Sequence, residues 1–447
     1  MRRRSLHNGV IVETRVEARK RKEQSSQRWR RFEQVYVIIT LLLFAQAFFP
    51  FFQAGQMDSV ADGNALLQTI WKLIYVIAAV LIYIHRKHVM KIISRDKLTL
   101  VLLLMIVLSS LWSAAPEITM RRSIAFVGTN LFAIYLATRF SLRELFQLIA
   151  WALLAGAVFS LIVTILFPEL GTMMHEGNLV WRGIFSHKNQ LGRIMSLAAI
   201  VFFLLILMKQ WPRWLTVGGF LLSVLMLAMS ESKTAMIVLL ITMGCIPFLT
   251  TLRWNPYARI LFWLPASLFF IGLCLAIFPH MEALLRYFGR DMTLTGRTGL
   301  WDIVIEMIQV HPWLGYGYSG FWLGWEGESA YVWMVTTWEP PNSHNGFLDA
   351  ALDVGLIGLC LILFSFVSRL YKAMRYHVSS HRWENLWPLL YLIYLVLCNL
   401  TETTLLDHNS FFWTLFITLG FSLPHKKRAE QRGRIRSRLR TTRRMEG

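Results

Sequence analysis

Two short polar signatures lie in a long, tryptophan-rich stretch at about residues 279–345 of an otherwise apolar chain. One is Gly296–Trp301, with the sequence GRTGLW, and the other is Ser343–Gly346, with the sequence SHNG. An arginine can hold an anionic group through charge-assisted hydrogen bonds. An imidazole titrates near neutral pH and can accept a proton from a hydroxyl group. The two signatures therefore make Arg297 and His344 candidates for catalysis.

Arg297 is expected at the start of an amphipathic helix. Apolar residues from Leu300 to Ile308 recur at helical spacing, and His311-Pro312 ends the pattern. The apolar face is predicted to lie on the membrane or on a helix bundle. A cation at a helix N-terminus disfavours the helix, but an anion held by Arg297 and the first-turn N–H groups would compensate. The alternative is an arginine that reaches towards lipid headgroups.

His344 is expected at the membrane surface, between the turn Pro340–Ser343 and an apolar run. Asn345 adjoins it, and Asp349 and Asp353 follow at helical spacing. Carboxylates inside an apolar run need a partner or water, so they are predicted to orient His344 or to pair with an arginine. Taken alone, this local pattern favours a capping or structural histidine over a catalytic one.

A second polar segment, at about residues 168–190, ends in several basic side chains beside another apolar run. Arg182 and Lys188 precede the run, and Asn189 and Arg193 fall on one helical face. Arg193 lies within the run, where a charge is costly unless an anion or an acidic side chain meets it. This segment is therefore the second candidate for binding an anion.

Glu402 is the acidic side chain that could meet such a cation. It lies at one end of the apolar run 386–403, which is predicted to be on the same side of the membrane as Arg193. An ion pair between Glu402 and an arginine is one explanation of both residues, and a bound anion is the other. The sequence leaves both open.

The elements that position these residues are predicted to be membrane helices. The chain has 447 residues, 55% of them hydrophobic, with a mean hydropathy of +0.47, which is too apolar for a soluble globular protein. About twelve runs of roughly 16–23 apolar residues are long enough to cross a bilayer as helices. They are 35–52, 66–84, 98–113, 122–138, 145–167, 191–208, 213–229, 234–251, 258–279, 346–368, 386–403 and 408–423. The predicted fold class is thus an all-α polytopic membrane protein.

The distribution of Lys and Arg predicts the orientation of this bundle, residues 35–423. Most of the 46 basic residues fall on one side, including the tails 1–34 and 424–447, and such an excess marks the cytoplasmic side. Both tails are therefore expected inside, and the segments 168–190 and 279–345 outside. A reaction on the outside has no access to cytoplasmic ATP, so its energy must come from an activated substrate or an ion gradient.

Other features exclude several classes of function. The net charge of +20 comes mainly from the tails and short loops, with almost no interleaved aromatic residues. This pattern favours contact with anionic lipids over nucleic-acid binding. The four cysteines all fall within predicted spans and lack metal-ligand spacing, so neither a metal site nor a cofactor is expected. The cysteines are Cys245, Cys274, Cys360 and Cys398.

Tryptophan is concentrated in the long polar segment. Such residues either form a belt at the membrane interface or offer flat apolar surfaces to sugar rings. A membrane-interface belt explains some of these tryptophans, but it explains less well why they occur throughout the polar segment. The residues are Trp301, Trp313, Trp322, Trp325, Trp333 and Trp338.

Several of these motifs together resemble the O-antigen ligase/polymerase family of bacterial membranes. They are Arg182–Gly192, Leu294–Trp301, Pro312–Gly317 and Ser343–Gly346. The most distinctive is His344-Asn345 followed, after nine residues, by Gly355-x-x-Gly358. The resemblance covers about residues 182–407, and the His-Lys-Asn and Thr-Gly-Arg-Thr forms are most similar to exopolysaccharide polymerases.

The resemblance implies a bundle like that of polytopic (GT-C-like) glycosyltransferases. It also implies an inverting, metal-independent transfer of a glycan from undecaprenyl diphosphate to a sugar hydroxyl outside the cell. His344 and Arg297 would be catalytic, with His344 activating or orienting the acceptor. The residues that would hold the diphosphate are Arg182, Lys188, Arg193 and Arg297. The supporting residues would be Asn189, Asn345, Asp349 and Glu402.

The same resemblance implies a bacterial inner-membrane location and partners such as a flippase and a chain-length regulator. Two alternatives to a polymerase remain. One is a ligase, which transfers the glycan to another acceptor. The other is a polysaccharide flippase or transporter, whose working residues should lie near the middle of the bilayer on broken helices. Here the ionisable residues crowd the ends of the predicted spans, with Lys72 as an exception.

Overall fold

The computed structural model describes residues 27–53, 65–277, 297–336 and 338–424. Most of the two predicted basic tails lies outside the described residues. So does the first part of the predicted external segment 279–345, up to Gly296.

The described chain is mainly helical. The seventeen helices described are α1 (27–44), α2 (Phe49–Gln53), α3 (Ala65–Ile84), α4 (Arg86–Ile93), α5 (Lys97–Leu108), α6 (Pro116–Arg139), α7 (Leu142–Leu166), α8 (Pro168–Gly171), α9 (Lys188–Met208), α10 (Arg213–Met229), α11 (Lys233–Thr251), α12 (Pro256–Ile277), α13 (Arg297–Val310), α14 (Ser329–Thr336), α15 (Gly346–Val378), α16 (Trp387–Asn399) and α17 (Phe411–Ser422). Short 3-10 turns at Ser109–Leu111, Gly324–Glu326 and Trp383–Asn385 complete the helical part.

The helices agree with a polytopic membrane protein. Five of those described (α3, α7, α9, α11 and α15) are long and apolar enough to cross a bilayer, and α10 and α17 are shorter apolar helices. Each predicted apolar run contains helix where it is described. The helical, multi-pass class is therefore confirmed, while the number of twelve spans stays a prediction.

The first predicted run, 35–52, is not one helix. It breaks at residues 45–48, where Gln46 and Phe48 adopt positive φ angles of 58° and 69°. The N–H of Phe48 donates to the Ile184 carbonyl at 2.7 Å, and the Gln190 amide donates to the Ala45 carbonyl at 2.8 Å. The break is stable because a segment remote in sequence satisfies backbone groups that the helix leaves open.

A small antiparallel hairpin interrupts the all-helical pattern. Strand β1 (Thr172–His175) pairs with β2 (Asn178–Trp181), with Thr172 opposite Trp181. The sequence predicted only a loop over residues 168–190, without strands. The hairpin leads directly into the residues that precede α9.

Helix α13 is the amphipathic helix that the sequence predicted. Its contacts show whether the apolar face packs on lipid or on the helix bundle. Leu300 and Val304 are fully buried in a hydrophobic cluster that also contains Leu352 of α15. The face therefore packs on the helix bundle rather than on lipid. This contact holds Arg297, the first residue of α13, against the bundle.

Helix α15 is kinked at Gly355, which has a φ of 64°. At the kink, the Leu356 N–H donates to the Pro312 carbonyl at 2.8 Å, and the Tyr316 N–H donates to the Leu352 carbonyl at 2.7 Å. A Cβ atom on Gly355 would lie 2.2 Å from the carbonyl oxygen of Trp313. The glycine motifs noted in the sequence thus fasten the segment after α13 to α15.

Candidate active site

Glu402 is the centre of a cluster drawn from four parts of the chain. Its Oε1 accepts a hydrogen bond from Asn189 Nδ2 at 3.1 Å and lies 3.5 Å from Arg297 Nη2. Its Oε2 lies 3.9 Å from Arg193 Nη1 and 3.9 Å from His344 Nδ1. We call these five residues the Glu402 cluster. Five of the predicted site residues therefore lie together, although they are far apart in sequence.

Four elements place the five members of the Glu402 cluster. Asn189 and Arg193 share one face of the first turns of α9, and Arg297 begins α13. His344 lies in the turn before α15, and Glu402 lies in the connection 400–410 between α16 and α17. The relative positions of these elements therefore determine the site.

The cluster is shielded from solvent and carries a net positive charge. The side chains of Arg193, Arg297, His344 and Glu402 are only 11% to 21% exposed. Burial by itself would raise the pKa of Glu402, but His344 and the two arginines outweigh it and lower that pKa to about 2. Glu402 is therefore an anion at neutral pH, and one carboxylate faces two guanidinium groups.

Two polar atoms in the cluster are buried without a hydrogen-bond partner among the described residues. They are Nε of Arg193 and Nδ1 of His344. Buried polar groups are ordinarily satisfied, so Nε of Arg193 is available to a bound molecule, whereas Nδ1 of His344 faces Glu402 at 3.9 Å. The sequence left open whether Arg193 pairs with Glu402 or binds an anion. The geometry pairs it with Glu402 and still leaves Nε for a ligand.

Arg297 is held at the start of α13 by the connection 400–410. Its Nη1 donates to the Thr401 carbonyl at 2.5 Å, while Nη2 faces Glu402. The space above the first turn of α13 is open at Gly299, where an added Cβ atom would have no neighbour within 4 Å. An anion could therefore approach both the guanidinium and the first N–H groups of the helix.

His344 is held in an unusual backbone conformation, with φ at 53°. Its N–H donates to Asn342 Oδ1 at 2.9 Å, and its ring stacks on Trp338 with 6.2 Å between ring centroids. Asn345, rather than His344, caps α15 by accepting from the N–H groups of Phe347 and Leu348. The alternative of a capping histidine is therefore wrong, and the imidazole points into the Glu402 cluster.

Asp349 does not have the partner that was expected of it. Instead of His344 or an arginine, it accepts hydrogen bonds from Trp322 Nε1 at 2.9 Å, the Ser343 N–H at 3.1 Å and the Thr403 hydroxyl. It thereby joins the residue before His344 to the residue after Glu402. The contact with Ser343 is through the backbone N–H and the contact with Thr403 is through the side-chain hydroxyl, so a supporting role for Asp349 remains a prediction.

Asp353 likewise accepts a backbone hydrogen bond, from the Ser319 N–H at 2.9 Å. Asp349 therefore lacks the predicted partner, because the segment between α13 and α15 folds back and offers N–H donors, whereas Asp353 also lies within range of the charge of Arg122. Sequence spacing alone does not reveal that folding.

Arg182 and Lys188 are placed differently from Arg193 and Arg297. Arg182 Nε donates to the Leu170 carbonyl at 3.0 Å, which holds the guanidinium at the base of the hairpin. Lys188 is buried at the first turn of α9. The described ion pairs of Glu402 do not include Arg182, so a diphosphate-binding role for Arg182 and Lys188 remains a prediction.

Two residues that shape the site were given no role from the sequence. His187 caps α9 by accepting from the Asn189 N–H at 3.2 Å, and burial lowers its pKa although Glu402 opposes this. Asn399 accepts from the N–H groups of Thr404 and Leu405 and so folds the connection that carries Glu402. The position of His187 directly before α9 was the available signal. Asn399 gave none, because it ends an apolar run.

Helix α15 approaches Asn399 very closely. A Cβ atom on Gly346 would lie 2.0 Å from Asn399 Oδ1. Only glycine fits this position, which explains the glycine of the SHNG signature. The contact brings His344 and Glu402 to the same point.

The fold and the site together define a class of protein. It is a multi-pass helical bundle with a buried, positively charged cluster that contains a histidine. Residues 218–363 match the family described as O-Antigen ligase. They include Arg297 and His344. The resemblance to the O-antigen ligase and exopolysaccharide polymerase group is thereby confirmed.

The chain is also similar to the exopolysaccharide production protein ExoQ of Rhizobium meliloti (strain 1021). The two are 28% identical over 280 residues, which cover 61% of this chain and 63% of that protein. The matched region is therefore slightly less than two thirds of the relative's length.

Proposed function

We propose that the protein is an inverting glycosyltransferase that polymerises exopolysaccharide or O-antigen repeat units on the outer side of the bacterial inner membrane. Its donor is a glycan on undecaprenyl diphosphate, and its acceptor is a sugar hydroxyl of another glycan. The observation that carries this proposal is the Glu402 cluster, which combines two arginines and a histidine at one buried carboxylate. No nucleotide is needed because the donor already carries a good leaving group.

The arginines provide for the departure of the diphosphate. Charge builds up on the leaving oxygen as the glycosidic bond to phosphate breaks, and preoriented cations stabilise that charge. Arg297 and Arg193 are held by the carbonyls of Thr401 and Thr403 as well as by Glu402. Glu402 thus keeps both guanidinium groups in place, and their remaining N–H donors bind the diphosphate.

His344 takes the acceptor proton. A proton on Nδ1 faces Glu402 Oε2 at 3.9 Å, which leaves Nε2 to accept the proton of the attacking hydroxyl. The hydroxyl oxygen forms its bond to the anomeric carbon as the bond to the diphosphate oxygen breaks on the opposite side. The products are an inverted glycosidic bond, a histidinium stabilised by Glu402, and the lipid diphosphate.

The orientation follows from the charge asymmetry of the sequence. The hairpin segment and the segment between α12 and α15 face outwards, and both tails face the cytoplasm. The lipid-linked unit is assembled on the cytoplasmic side, so a flippase must bring it to the outer side. A flippase and a chain-length regulator are therefore the expected partners.

A ligase is the second candidate, and the family description O-Antigen ligase favours it. A ligase takes the same donor and differs in its acceptor. The polymerase is preferred because the curated relative is named an exopolysaccharide production protein. A transporter is disfavoured because the backbone at the kink in α15 is hydrogen-bonded to Pro312 and Tyr316. These bonds oppose the hinge motion that a transporter would need at this kink.

The test uses the purified full-length protein in detergent with lipid-linked repeat units. Lengthening of the glycan without a membrane gradient would support a polymerase, transfer only to a different acceptor would support a ligase, and neither would overturn the proposal. His344→Ala and Arg297→Ala should each abolish product. The matched controls are His88→Ala and Arg213→Ala, because both residues are exposed and remote from the cluster. Near-normal polymer from either site variant would refute the assigned roles.

A further inference from the structure

A cavity of about 380 Å³ lies between α3, α6 and the connection 400–410. Three cations line it, namely Lys72 of α3 and Arg121 and Arg122 of α6. Asp407 is the carboxyl group on its wall. Neither the catalytic steps above nor the sequence motifs account for this cavity.

Lys72 is the residue that the sequence analysis left unexplained. It lies seven residues into α3, about 10 Å along the helix axis from its first residue. An ammonium group inside an apolar span is costly unless it meets water or an anion, and such residues commonly mark functional sites. Lys72 lies on the wall of a cavity that Arg121 also lines, so an anion bound in this cavity would offset the cost of its charge.

The rest of the lining suits an apolar chain. Trp71 and Tyr75 of α3 and Ile124 of α6 line the same space. Tyr75 donates a hydrogen bond to Asn409, and the Asn409 N–H donates to Thr129 at 2.8 Å, so the wall is braced on two sides. The cavity therefore offers cations and apolar surface together, which an inorganic anion alone does not need.

The cavity is connected electrostatically to the Glu402 cluster. Burial raises the pKa of Asp407 to about 7, and Arg193 and Arg122 both oppose that shift, so Asp407 lies within charge range of each. Arg122 is also fixed, by donating to the Ser319 carbonyl at 3.2 Å. Lys72, Arg121 and Arg122 thus line the same cavity as Asp407, which also lies within range of the charge of Arg193.

We propose that this cavity is a second anion site, distinct from the Glu402 cluster, which binds the diphosphate headgroup of a prenyl lipid. Each phosphate of such a headgroup is negatively charged and meets the cations, while the first isoprene units lie against the aromatic and aliphatic wall. The site holds the lipid diphosphate next to the place where the proposed transfer occurs. The choice of this lipid rests on the proposed function, whereas the binding itself can be measured without any transfer.

The test is a binding measurement with geranylgeranyl diphosphate on the full-length protein in detergent, by native mass spectrometry and calorimetry. The wild type should bind two equivalents. Lys72→Gln combined with Arg121→Gln should weaken one of them at least about tenfold. The control combines Lys87→Gln with Lys91→Gln, which removes the same charge from exposed positions on α4, and it should change neither equivalent.

A third variant guards against misfolding as a cause. Ile124 is 63% exposed and lines the cavity, so Ile124→Trp should fill the space without disturbing the core and should also remove one equivalent. Unchanged binding in both cavity variants would overturn the proposal. Equal binding of inorganic diphosphate, or of phosphatidylglycerol, would overturn the assignment to a prenyl diphosphate.

Failure of this inference and failure of the proposed function give different results. Loss of one equivalent in the cavity variants, together with no glycan transfer by the wild type, would keep the cavity site and reject the transferase. Glycan transfer by the wild type, together with unchanged lipid binding in the cavity variants, would keep the transferase and reject the cavity site. Arg297→Gln should leave the cavity equivalent intact.

Discussion

Nδ1 of His344 lies 3.9 Å from Oε2 of Glu402, and it has no hydrogen-bond partner among the described residues. This pair joins the turn before α15 to the connection after α16. A carboxylate at this distance attracts a positively charged imidazole ring through its own charge. Under the proposed mechanism, this relationship gives Glu402 a part in the chemistry as well as in the structure.

Glu402→Gln should therefore reduce transfer by about 100-fold or more, the usual range for losing support of a general base. The amide keeps the hydrogen bond from Asn189 but removes the charge that stabilises the histidinium and holds the arginines. The measurement is the rate of glycan lengthening from lipid-linked units at saturating donor. The control is Glu176→Gln in the turn of the hairpin, because the side chain of Glu176 is 80% exposed. Wild-type rates in the Glu402 variant would contradict the role.

The stability of the protein should fall in acid because of the same carboxylate. The pKa of Glu402 is about 2 in the folded protein and 4.5 ordinarily, so its ionised form favours folding. That contribution is fully present above pH 4.5 and is lost as the pH falls from there towards 2. Thermal unfolding in detergent between pH 6 and pH 3 measures it, and Glu402→Gln should show a smaller acid loss. Parallel curves for the two proteins would refute the prediction.

Asp407 should show the opposite dependence. Burial raises its pKa from 3.8 to about 7, so the protonated form favours folding. Its contribution is fully present below pH 3.8 and is lost as the pH rises through 7. Asp407→Asn should therefore make stability less dependent on pH between 4 and 8. An unfolding midpoint that falls over this range equally in both proteins would count against it.

The helical parts of the site followed from the sequence because they depend on local periodicity. The amphipathic pattern from Leu300 predicted α13, and the charge pattern singled out Arg193, Arg297 and His344. What these residues contact did not follow, because Glu402 is 105 residues from Arg297 and 209 from Arg193 in the sequence, and no spacing rule relates such segments. The partners chosen by Asp349 depend equally on chain folding over long distances.

Two further differences have a backbone cause. The first apolar run breaks at residues 45–48 because backbone groups there find partners at Ile184 and Gln190. The hairpin closes through a Glu176-Gly177 turn, in which both residues have positive φ, and the polar segment gave no alternating pattern that would predict strands. In both places, tertiary hydrogen bonds outweigh the hydropathy pattern.

The kink of α15 gives a last prediction, Gly355→Ala. At a φ of 64°, a side chain is strained, and the added Cβ atom would lie 2.2 Å from the Trp313 carbonyl oxygen. The cost should be about 1–3 kcal/mol or more, seen as a lower unfolding midpoint in detergent. Transfer should fall as well, because the contact with Pro312 and Trp313 helps to hold α13 and α15 together.

Gly244→Ala is the matched control for this substitution. Gly244 lies inside α11, and an added Cβ atom there would have no neighbour within 4 Å. Since alanine favours a helix over glycine by about 1 kcal/mol, this variant should unfold at the same temperature or slightly higher. If Gly355→Ala were as stable and as active as Gly244→Ala, the kink would not be what fastens the segment carrying Arg297 to the helix that follows His344.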